Sequence, residues 1–374
     1  MPNFDTLPTP CLLLDEARMT RNVDRLSDRA RELGVTLRPH LKTCKNVEVA
    51  HRLTESSNAP VTVSTLAEAE VFADAGFTDI LYAVGIAPQK LAQVLDIRSR
   101  GCDLMVILDS TAQAEAVVAA GGGIPVLIEI DSDGHRGGLV PDDPALVPIA
   151  RILHDGGIPL RGVMTHAGES YGASGRDAQA EFAETERAAV VQAAERLRAA
   201  GLPCPIVSVG STPTTHAARD LTGVTEMRAG VYVFFDLVMA GIGVCDPDDI
   251  AISVLTTVIG QKPERGWTIV DAGWMAMSRD RGTAAQAVDQ GYGLVCNEAG
   301  EILPDLILSS ANQEHGIISV REGSGAAMPD LPPGTRLRIL PNHACATAAQ
   351  HDRYHVIPAD GGPEMPVWKR FSGW

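Results

Sequence analysis

Basic residues are scarce in this sequence of 374 amino acids. It contains 31 lysines and arginines against 47 aspartates and glutamates, which gives a formal net charge of −16. A protein that binds nucleic acid or an anionic membrane needs a basic face that displaces counterions. The composition therefore argues against both kinds of partner, although a few well-placed donors can still bind a small anion such as phosphate.

Signals for membrane insertion and export are also lacking. No uncharged apolar stretch is long enough to span a bilayer. The first residues lack the charged start and apolar run of a signal peptide. The seven cysteines are scattered without paired spacing, which is typical of reduced thiols. These absences predict a cytoplasmic protein.

The hydrophobic content of 45% is that of a globular protein, and the length favours two domains. Between about residues 36 and 235, apolar runs alternate with alanine-rich amphipathic stretches. Eight such strand–helix units predict an α/β fold, a (β/α)8 barrel of the TIM type, with an open doubly wound sheet as the alternative. The predicted strands are 35–42, 60–65, 79–84, 103–109, 124–131, 160–166, 205–210 and 223–231.

A second pattern begins after about residue 246. Short β-rich segments there are separated by glycine, proline, asparagine and aspartate, which predicts a mostly antiparallel β domain. The segment 11–15 is apolar and extended, and it could join this domain. We therefore predict a barrel over 16–245 and a β domain over 1–15 plus 246–374. The predicted strands of the second domain are 254–259, 267–271, 291–295, 316–320, 335–339 and 354–357.

Ligand-binding groups of such a barrel gather at the carboxyl ends of its strands. Lys42 ends the first predicted strand, where partial desolvation would lower the pKa of its amine and make it a nucleophile for an aldehyde. A surface lysine at a strand end is the alternative interpretation.

The loops after the seventh and eighth strands form the usual phosphate site of this barrel. Each of these loops alone could consist of ordinary turn residues, but glycines and hydroxyls at the correct two strands together favour a phosphate site. The candidate residues are Gly210, Ser211, Thr212, Arg228, Gly230 and Tyr232.

His343 and Cys345 form an H-x-C pair, and an extended segment would point both side chains to one face. Imidazole and thiolate together suit zinc, but the spacing alone is a weak signal, because most such pairs are incidental. His166 ends the sixth strand and could lie against a flat ring or be a hydrogen-bonded barrel histidine. His315 could lie near the metal or close a turn.

Several longer motifs occur together in this chain, and their combination is far more specific than any single one. The chain resembles the fold-type III pyridoxal-phosphate enzymes, which have an alanine-racemase-like barrel and a C-terminal β domain. More narrowly, it resembles the D-serine dehydratase and D-threonine aldolase group. The motifs are Thr9–Asp15, Arg38–Thr43, Asp131–Arg136, Asp271–Trp274 and Pro341–Cys345.

The resemblance implies a role for each candidate. Lys42 would be the covalent anchor of pyridoxal 5'-phosphate and the base that takes the substrate Cα proton. Arg136 would bond near the phenolic oxygen of the cofactor, and Arg228 would lie beside its pyridine nitrogen. Cys44 stands where many relatives have histidine, so an acid–base role is not carried over to it. His166 would face the ring, Gly210, Ser211, Thr212, Gly230 and Tyr232 would hold the phosphate, and His343 and Cys345 would bind the metal.

The implied activity is a dehydration that converts a D-3-hydroxy amino acid to a 2-oxo acid and ammonia. The substrate would be D-threo-3-hydroxyaspartate, D-serine or D-threonine, and the metal would be zinc, with manganese, magnesium or cobalt as alternatives. A homodimer is also implied. Arg279 and Arg281 could recognise a second carboxylate or be surface charges. The competing hypotheses are a D-threonine-type aldolase, a racemase and a non-catalytic protein that binds pyridoxal phosphate.

Overall fold

The computed structural model describes residues 4–374, which fall into two compact units. We call residues 24–230 with 373–374 the barrel unit, and residues 4–23 with 231–372 the β unit. Helix α1 (Glu16–Glu32) contributes residues to both units. The predicted domain limits stay a prediction, and residues 1–3 of the predicted β domain lie outside the described residues.

Eight parallel strands form the sheet of the barrel unit, in the order β2-β9-β8-β7-β6-β5-β4-β3. A parallel bridge between His40 and Thr62 joins the first strand to the last. All eight predicted strands are present and the predicted (β/α)8 barrel is confirmed. The strands are β2 (Thr36–Pro39), β3 (Val61–Val63), β4 (Asp79–Gly85), β5 (Asp103–Leu108), β6 (Val126–Ile130), β7 (Leu160–Thr165), β8 (Ile206–Val209) and β9 (Glu226–Ala229).

Helices follow strands β2 to β8, and side-chain caps mark where several of them begin. Thr65 and Ser110 each accept a hydrogen bond from a backbone N–H three residues on, which satisfies a donor that has no partner within the helix. The helices are α2 (Val47–Leu53), α3 (Leu66–Asp74), α4 (Leu91–Ser99), α5 (Thr111–Ala120), α6 (Leu146–Asp155), α7 (Arg176–Ala199) and α8 (Thr212–Ala217).

The interior of the barrel contains an apolar cluster and a set of buried polar side chains. Alternate residues of β4 to β7 form an apolar cluster that includes Leu81, Met105 and Leu127. Ile206 of β8 packs against this cluster. Two residues further along β8, on the same face of the strand, lies the buried hydroxyl of Ser208. Strands β2 and β9 add the buried polar side chains of Arg38, Glu226 and Arg228.

The β unit has a nine-stranded sheet in the order β11-β14-β13-β12-β15-β10-β1-β16-β17. Because β10 also pairs with β11, six of these strands form a closed circuit. The strands are β1 (Cys11–Asp15), β10 (Ile252–Lys262), β11 (Trp267–Val270), β12 (Gly293–Asn297), β13 (Ile302–Ala311), β14 (Gly316–Val320), β15 (Arg336–Pro341), β16 (Arg353–Ile357) and β17 (Val367–Lys369).

Strand β1 lies inside this sheet, antiparallel to β10 and parallel to β16. The segment 11–15, which the sequence analysis placed with the β domain, therefore pairs with strands of this sheet. The short helices of the unit are α9 (Leu237–Gly241), α10 (Trp274–Met277) and α11 (Ala344–Ala348). Within residues 4–374 no helix is long and apolar enough to cross a membrane, and no cysteine forms a disulfide.

Candidate active site

Lys42 does not end a strand, contrary to the prediction. Strand β2 ends at Pro39, and Lys42 lies in the turn that follows the bridge residue His40. Its side chain is exposed, so the predicted partial desolvation is wrong for the chain alone. The lysine stands at the carboxyl end of the strand with an accessible amine.

The positive charges of Lys42, Arg136 and Arg228 all act on two histidines, His40 and His166, at this end of the barrel. Burial, followed by these positive charges, lowers the pKa of His40 well below its usual range. The charges of the same three residues also act on His166, as does burial. The structure therefore brings together four of the predicted site residues, and adds His40.

The imidazole of His166 is neutral and has a defined tautomer. Burial lowers its pKa to about 3. Its Nδ1 lies 2.7 Å from the carbonyl oxygen of Gly210, and a carbonyl can only accept, so Nδ1 carries the proton. The other ring nitrogen is left unprotonated. His166 is thus held as a flat, uncharged ring and bonded to the loop after β8.

Arg228 is a buried cation on β9. Its Nη1 donates to the hydroxyl of Ser208, and its Nη2 donates to the carbonyl oxygen of Thr165. Burial lowers the pKa of Arg228 to about 10, while the charges of Glu226 and Glu186 act in the opposite direction. The guanidinium therefore stays positive near neutral pH.

The loop Gly210-Ser211-Thr212 approaches the backbone of β9 very closely. At Gly210, where φ is +150°, a Cβ atom would lie 1.9 Å from the carbonyl oxygen of Arg228. Ser211 caps α8 by accepting from the backbone N–H of Thr214. The Oγ1 of Thr212 is buried and has no hydrogen-bond partner in residues 4–374. A buried hydroxyl without a partner is costly, so this loop suits an external ligand with acceptor oxygens.

A carboxylate that the sequence analysis missed supports the same loop from behind. The backbone N–H groups of Gly210 and Ala167 donate to Oε1 of Glu186, over 2.8 and 3.1 Å. Burial raises the pKa of Glu186, against the lowering effect of these bonds. Glu186 lies in the middle of α7, where a glutamate normally faces water, so no local pattern distinguishes it.

The glycine of the second predicted phosphate loop is also tightly placed. A Cβ atom on Gly230 would lie 3.2 Å from Oγ1 of Thr43 and 3.3 Å from the Cβ of His40. Tyr232 follows in a buried 3-10 turn, Val231–Val233, which belongs to the β unit. Arg136 is exposed in the loop after β6, where Asp131 accepts from the N–H of Gly134.

His343 and Cys345 do not lie on an extended segment, contrary to the prediction. His343 is the residue before α11, and Cys345 lies in its first turn. The two side chains are nevertheless hydrogen-bonded to each other. A chain that turns into a helix brings residues i and i+2 together by bending the backbone, rather than by strand alternation.

Asp280 holds the imidazole of His343 from the other side, with 2.6 Å between its Oδ2 and Nδ1. Burial would lower the pKa of His343, but the bonds to Asp280 and Cys345 outweigh it and raise this pKa to about 11. Asp236 is buried and accepts from the backbone N–H of Ala344, which fixes the start of α11. With Nδ1 bound to a carboxylate, Nε2 is the nitrogen that a metal would bind, and the metal would have to displace the proton from it.

Imidazole and thiolate fit a divalent metal of the zinc type. No group of three or more histidine, cysteine, aspartate or glutamate side chains that could hold a metal occurs in residues 4–374. The pair would therefore leave coordination positions open to water or substrate.

The other candidate residues, His315, Arg279 and Arg281, make local contacts within the β unit. The backbone of His315 accepts from Asn312 and closes the turn between β13 and β14. Arg281 pairs with Asp289 over 2.7 Å, and Arg279 lies 4.8 Å from the centre of the Trp274 ring. Recognition of a second carboxylate by either arginine stays a prediction.

Two family models match the chain, one on each side of residue 245. Residues 14–238 match "Alanine racemase, N-terminal domain", and residues 251–357 match "Putative serine dehydratase domain". The chain is 57% identical to D-threo-3-hydroxyaspartate dehydratase of Delftia sp. strain HT23, over 99% of this chain and 98% of that protein. It is 30% identical to D-serine dehydratase of Dictyostelium discoideum, over 96% of this chain and 95% of that protein.

The solved structure of the Delftia dehydratase superposes with a TM-score of 0.96, at 56% sequence identity and full coverage of both chains. An alanine-racemase-like barrel with a separate antiparallel domain defines a class of enzymes that use pyridoxal phosphate. Within that class, the chain belongs to the family that joins the alanine racemase N-terminal domain to the serine dehydratase domain. The predicted resemblance is confirmed, while the roles of individual residues stay predictions.

Proposed function

We propose that this protein is a dehydratase that depends on pyridoxal phosphate and a divalent metal, and converts a D-3-hydroxy amino acid to a 2-oxo acid and ammonia. The observation that carries the proposal is the 57% identity to D-threo-3-hydroxyaspartate dehydratase along 99% of the chain. D-threo-3-hydroxyaspartate is accordingly the first substrate to test, followed by D-serine and D-threonine.

The barrel unit has the features that pyridoxal phosphate requires. We infer that Lys42 is its covalent anchor and that Arg228 lies beside its pyridine nitrogen. The partnerless Thr212 hydroxyl and the close approach at Gly210 support a phosphate held by the loop 210–212, with Gly230 and Tyr232 completing it. Arg136 and His166 would contact the phenolic oxygen and the ring face.

We infer that His343 and Cys345 bind the metal. The Asp280 carboxylate on Nδ1 supports this inference, because metal-bound histidines commonly donate their second nitrogen to a carboxylate. Zinc is the metal that this pair of ligands favours, with manganese, magnesium and cobalt as alternatives.

When bound, the cofactor supplies an electron sink that acidifies the substrate Cα–H, and the metal supplies a Lewis acid for the departing hydroxyl. The residues of this chain supply the general base and the charges around the cofactor. The exposed amine of Lys42 accepts the Cα proton as general base. Arg228 keeps a fixed positive charge, and neutral His166 offers an apolar ring face without adding a proton to the site. The homodimer and the cytoplasmic location remain parts of the proposal.

The test is product identification with purified protein, pyridoxal phosphate and each of the three substrates. Dehydration gives a 2-oxo acid and ammonia, whereas the alternative aldolase reaction gives glycine and an aldehyde. A chelator should abolish dehydration, and added zinc should restore it. Lys42→Arg should lose at least a thousandfold in kcat, because it removes the anchor and the base but keeps the charge. Glycine as the sole amino product would overturn the proposal in favour of the aldolase.

A further inference from the structure

A chain of hydrogen-bonded polar side chains is buried inside the barrel, and only its last member, Arg228, has a role described so far. It runs from Arg38 on β2 through Glu226 on β9 and Ser208 on β8 to Arg228. The exposed fractions of these four residues lie between 0% and 5%, so water does not screen their interactions. The chain ends at the guanidinium that we place beside the pyridine nitrogen.

The direction of each hydrogen bond in this chain is determined. Ser208 has one hydroxyl proton, which it donates to Oε1 of Glu226 over 2.6 Å, because a carboxylate can only accept. The lone pairs of the hydroxyl then face Arg228, whose Nη1 donates to it. Glu226 thereby orients the serine as an acceptor for the guanidinium.

Arg38 fixes the carboxylate at the other end. Its Nε lies 3.0 Å from both oxygens of Glu226, and its Nη1 lies 2.7 Å from Oδ1 of Asp79 on β4. A buried carboxylate without such a partner would take up a proton or reorient toward another donor. Arg38 therefore holds the Glu226 carboxylate in one orientation.

We propose that Ser208, Glu226 and Arg38 are positioning residues that aim the Arg228 guanidinium at the cofactor site. The inference rests on the proposed function, because the position of Arg228 matters only if a cofactor binds there.

Stability alone does not account for these residues. Elsewhere in the barrel interior, an apolar cluster that includes Leu81, Met105 and Leu127 fills space of the same kind. Replacing a buried ion pair by well-packed apolar residues is often neutral or stabilising. Filling this space therefore does not require charges, and the residues in question lie on β9, which carries Arg228, and on its two neighbours β2 and β8.

The test is a double-mutant cycle with Ser208→Ala and Glu226→Gln in the full-length protein. Each variant is stripped of cofactor and titrated with pyridoxal phosphate, and the affinity and the absorption maximum of the bound cofactor are measured. We expect each single variant to bind about tenfold more weakly, as for a lost hydrogen bond to a charged group, with a shifted absorption maximum. Because Glu226 acts through Ser208, the double variant should be no weaker than Ser208→Ala.

Glu68→Gln is the matched control. Glu68 is a fully buried carboxylate that accepts from the hydroxyl of Ser64 and pairs with Lys45 over 3.2 Å, but it is not linked to Arg228. It should lower the melting temperature as Glu226→Gln does, and leave the affinity and the absorption maximum unchanged. If Glu226→Gln fails to fold, Ser208→Ala still tests the positioning role, because it removes only a single hydroxyl.

The outcomes separate the two proposals. If the wild type binds pyridoxal phosphate and both single variants bind it with the same affinity and spectrum, the positioning role is overturned and the proposed function stands. Additive losses in the double variant also overturn it, since Glu226 would then act independently of Ser208. If the wild type does not bind pyridoxal phosphate at Lys42, both proposals fall.

Discussion

Substitution of a single residue, Thr212, tests whether the loop after β8 binds a ligand. Its Oγ1 is buried without a partner in the described residues, and a folded chain tolerates such a group when something else completes it. In Thr212→Val, a methyl group replaces the hydroxyl at almost constant volume. We expect the cofactor-free protein to unfold with the same or a higher free energy, by up to about 1 kcal/mol, and to bind pyridoxal phosphate about tenfold more weakly.

Thr62→Val provides the control for this prediction. Thr62 also has a buried Oγ1 without a partner in residues 4–374, but it lies on β3 and not in the loop 210–212. Its replacement should change stability in the same direction and leave the affinity unchanged. Equal loss of affinity in both variants, measured by fluorescence titration, would show that the Thr212 hydroxyl does not contact the phosphate.

The sequence predicts candidate residues whose side chains are reactive or bind metals. It does not predict residues whose only signal is a contact made in the folded chain. Lys42, His343 and Cys345 stand out because amines, imidazoles and thiolates in motifs suggest chemistry. Asp280 lies 63 residues before His343 in the chain, so only the folded chain shows that the two side chains meet. The burial of Lys42 was predicted wrongly because strand β2 stops at Pro39, which leaves the lysine in a turn.

The start of helix α11 determines how the predicted metal ligands are presented. His343 precedes the helix, Cys345 lies in its first turn, and Asp280 holds Nδ1 of the imidazole at 2.6 Å. In Asp280→Asn the acceptor loses its charge, and the histidine loses part of its orientation. We expect the affinity for zinc to fall about 10- to 100-fold, measured by competition with a chromophoric chelator.

Asp352→Asn is the control for the prediction on Asp280. It removes a carboxylate of the same unit that forms an exposed pair with Arg353 at 2.6 Å. Exposed pairs contribute little, so zinc affinity should equal that of the wild type. A wild-type affinity for Asp280→Asn would mean that the carboxylate supports the fold of this segment rather than the metal.

Most elements were predictable because their periodicity is strong. Each of the eight barrel strands is an apolar run between helical patterns, and each lies within three residues of its predicted start. Strand β13 (Ile302–Ala311) was missed because Pro304 and Asp305, with φ of +62° at Asp305, interrupt its alternation. Its place in the sheet comes from hairpin pairing with its chain neighbours β12 and β14, which the propensities of its own residues do not contain.

At the scale of the whole molecule, buried neutral histidines make the free energy of unfolding depend on pH. Burial lowers the pKa of His216 to about 4, and its Nδ1 donates to the carbonyl oxygen of Thr212 over 2.9 Å. Because the folded pKa is below the unfolded value of about 6.5, this contribution is fully present above pH 6.5. It is lost as the pH falls toward 4, since only the unfolded chain takes up the proton.

We therefore expect His216→Gln to reduce the acid sensitivity of unfolding. Between pH 6 and 4, the free energy of unfolding of the wild type should fall more steeply than that of the variant, by about 1 kcal/mol per pH unit. Urea titrations at each pH measure this difference. Above pH 7 the two slopes should coincide, which serves as the internal control, and parallel curves below pH 6 would contradict the prediction.

The position of β1 (Cys11–Asp15) has a consequence for how the chain is made. This strand is synthesised well before its partners β10 and β16, which begin only at Ile252 and Arg353. At about 5–20 residues per second, its apolar residues wait roughly 10 to 50 s for the first partner. During that interval the nascent chain carries an unpaired strand that other chains could capture, so early synthesis is the stage at which a chaperone would matter most.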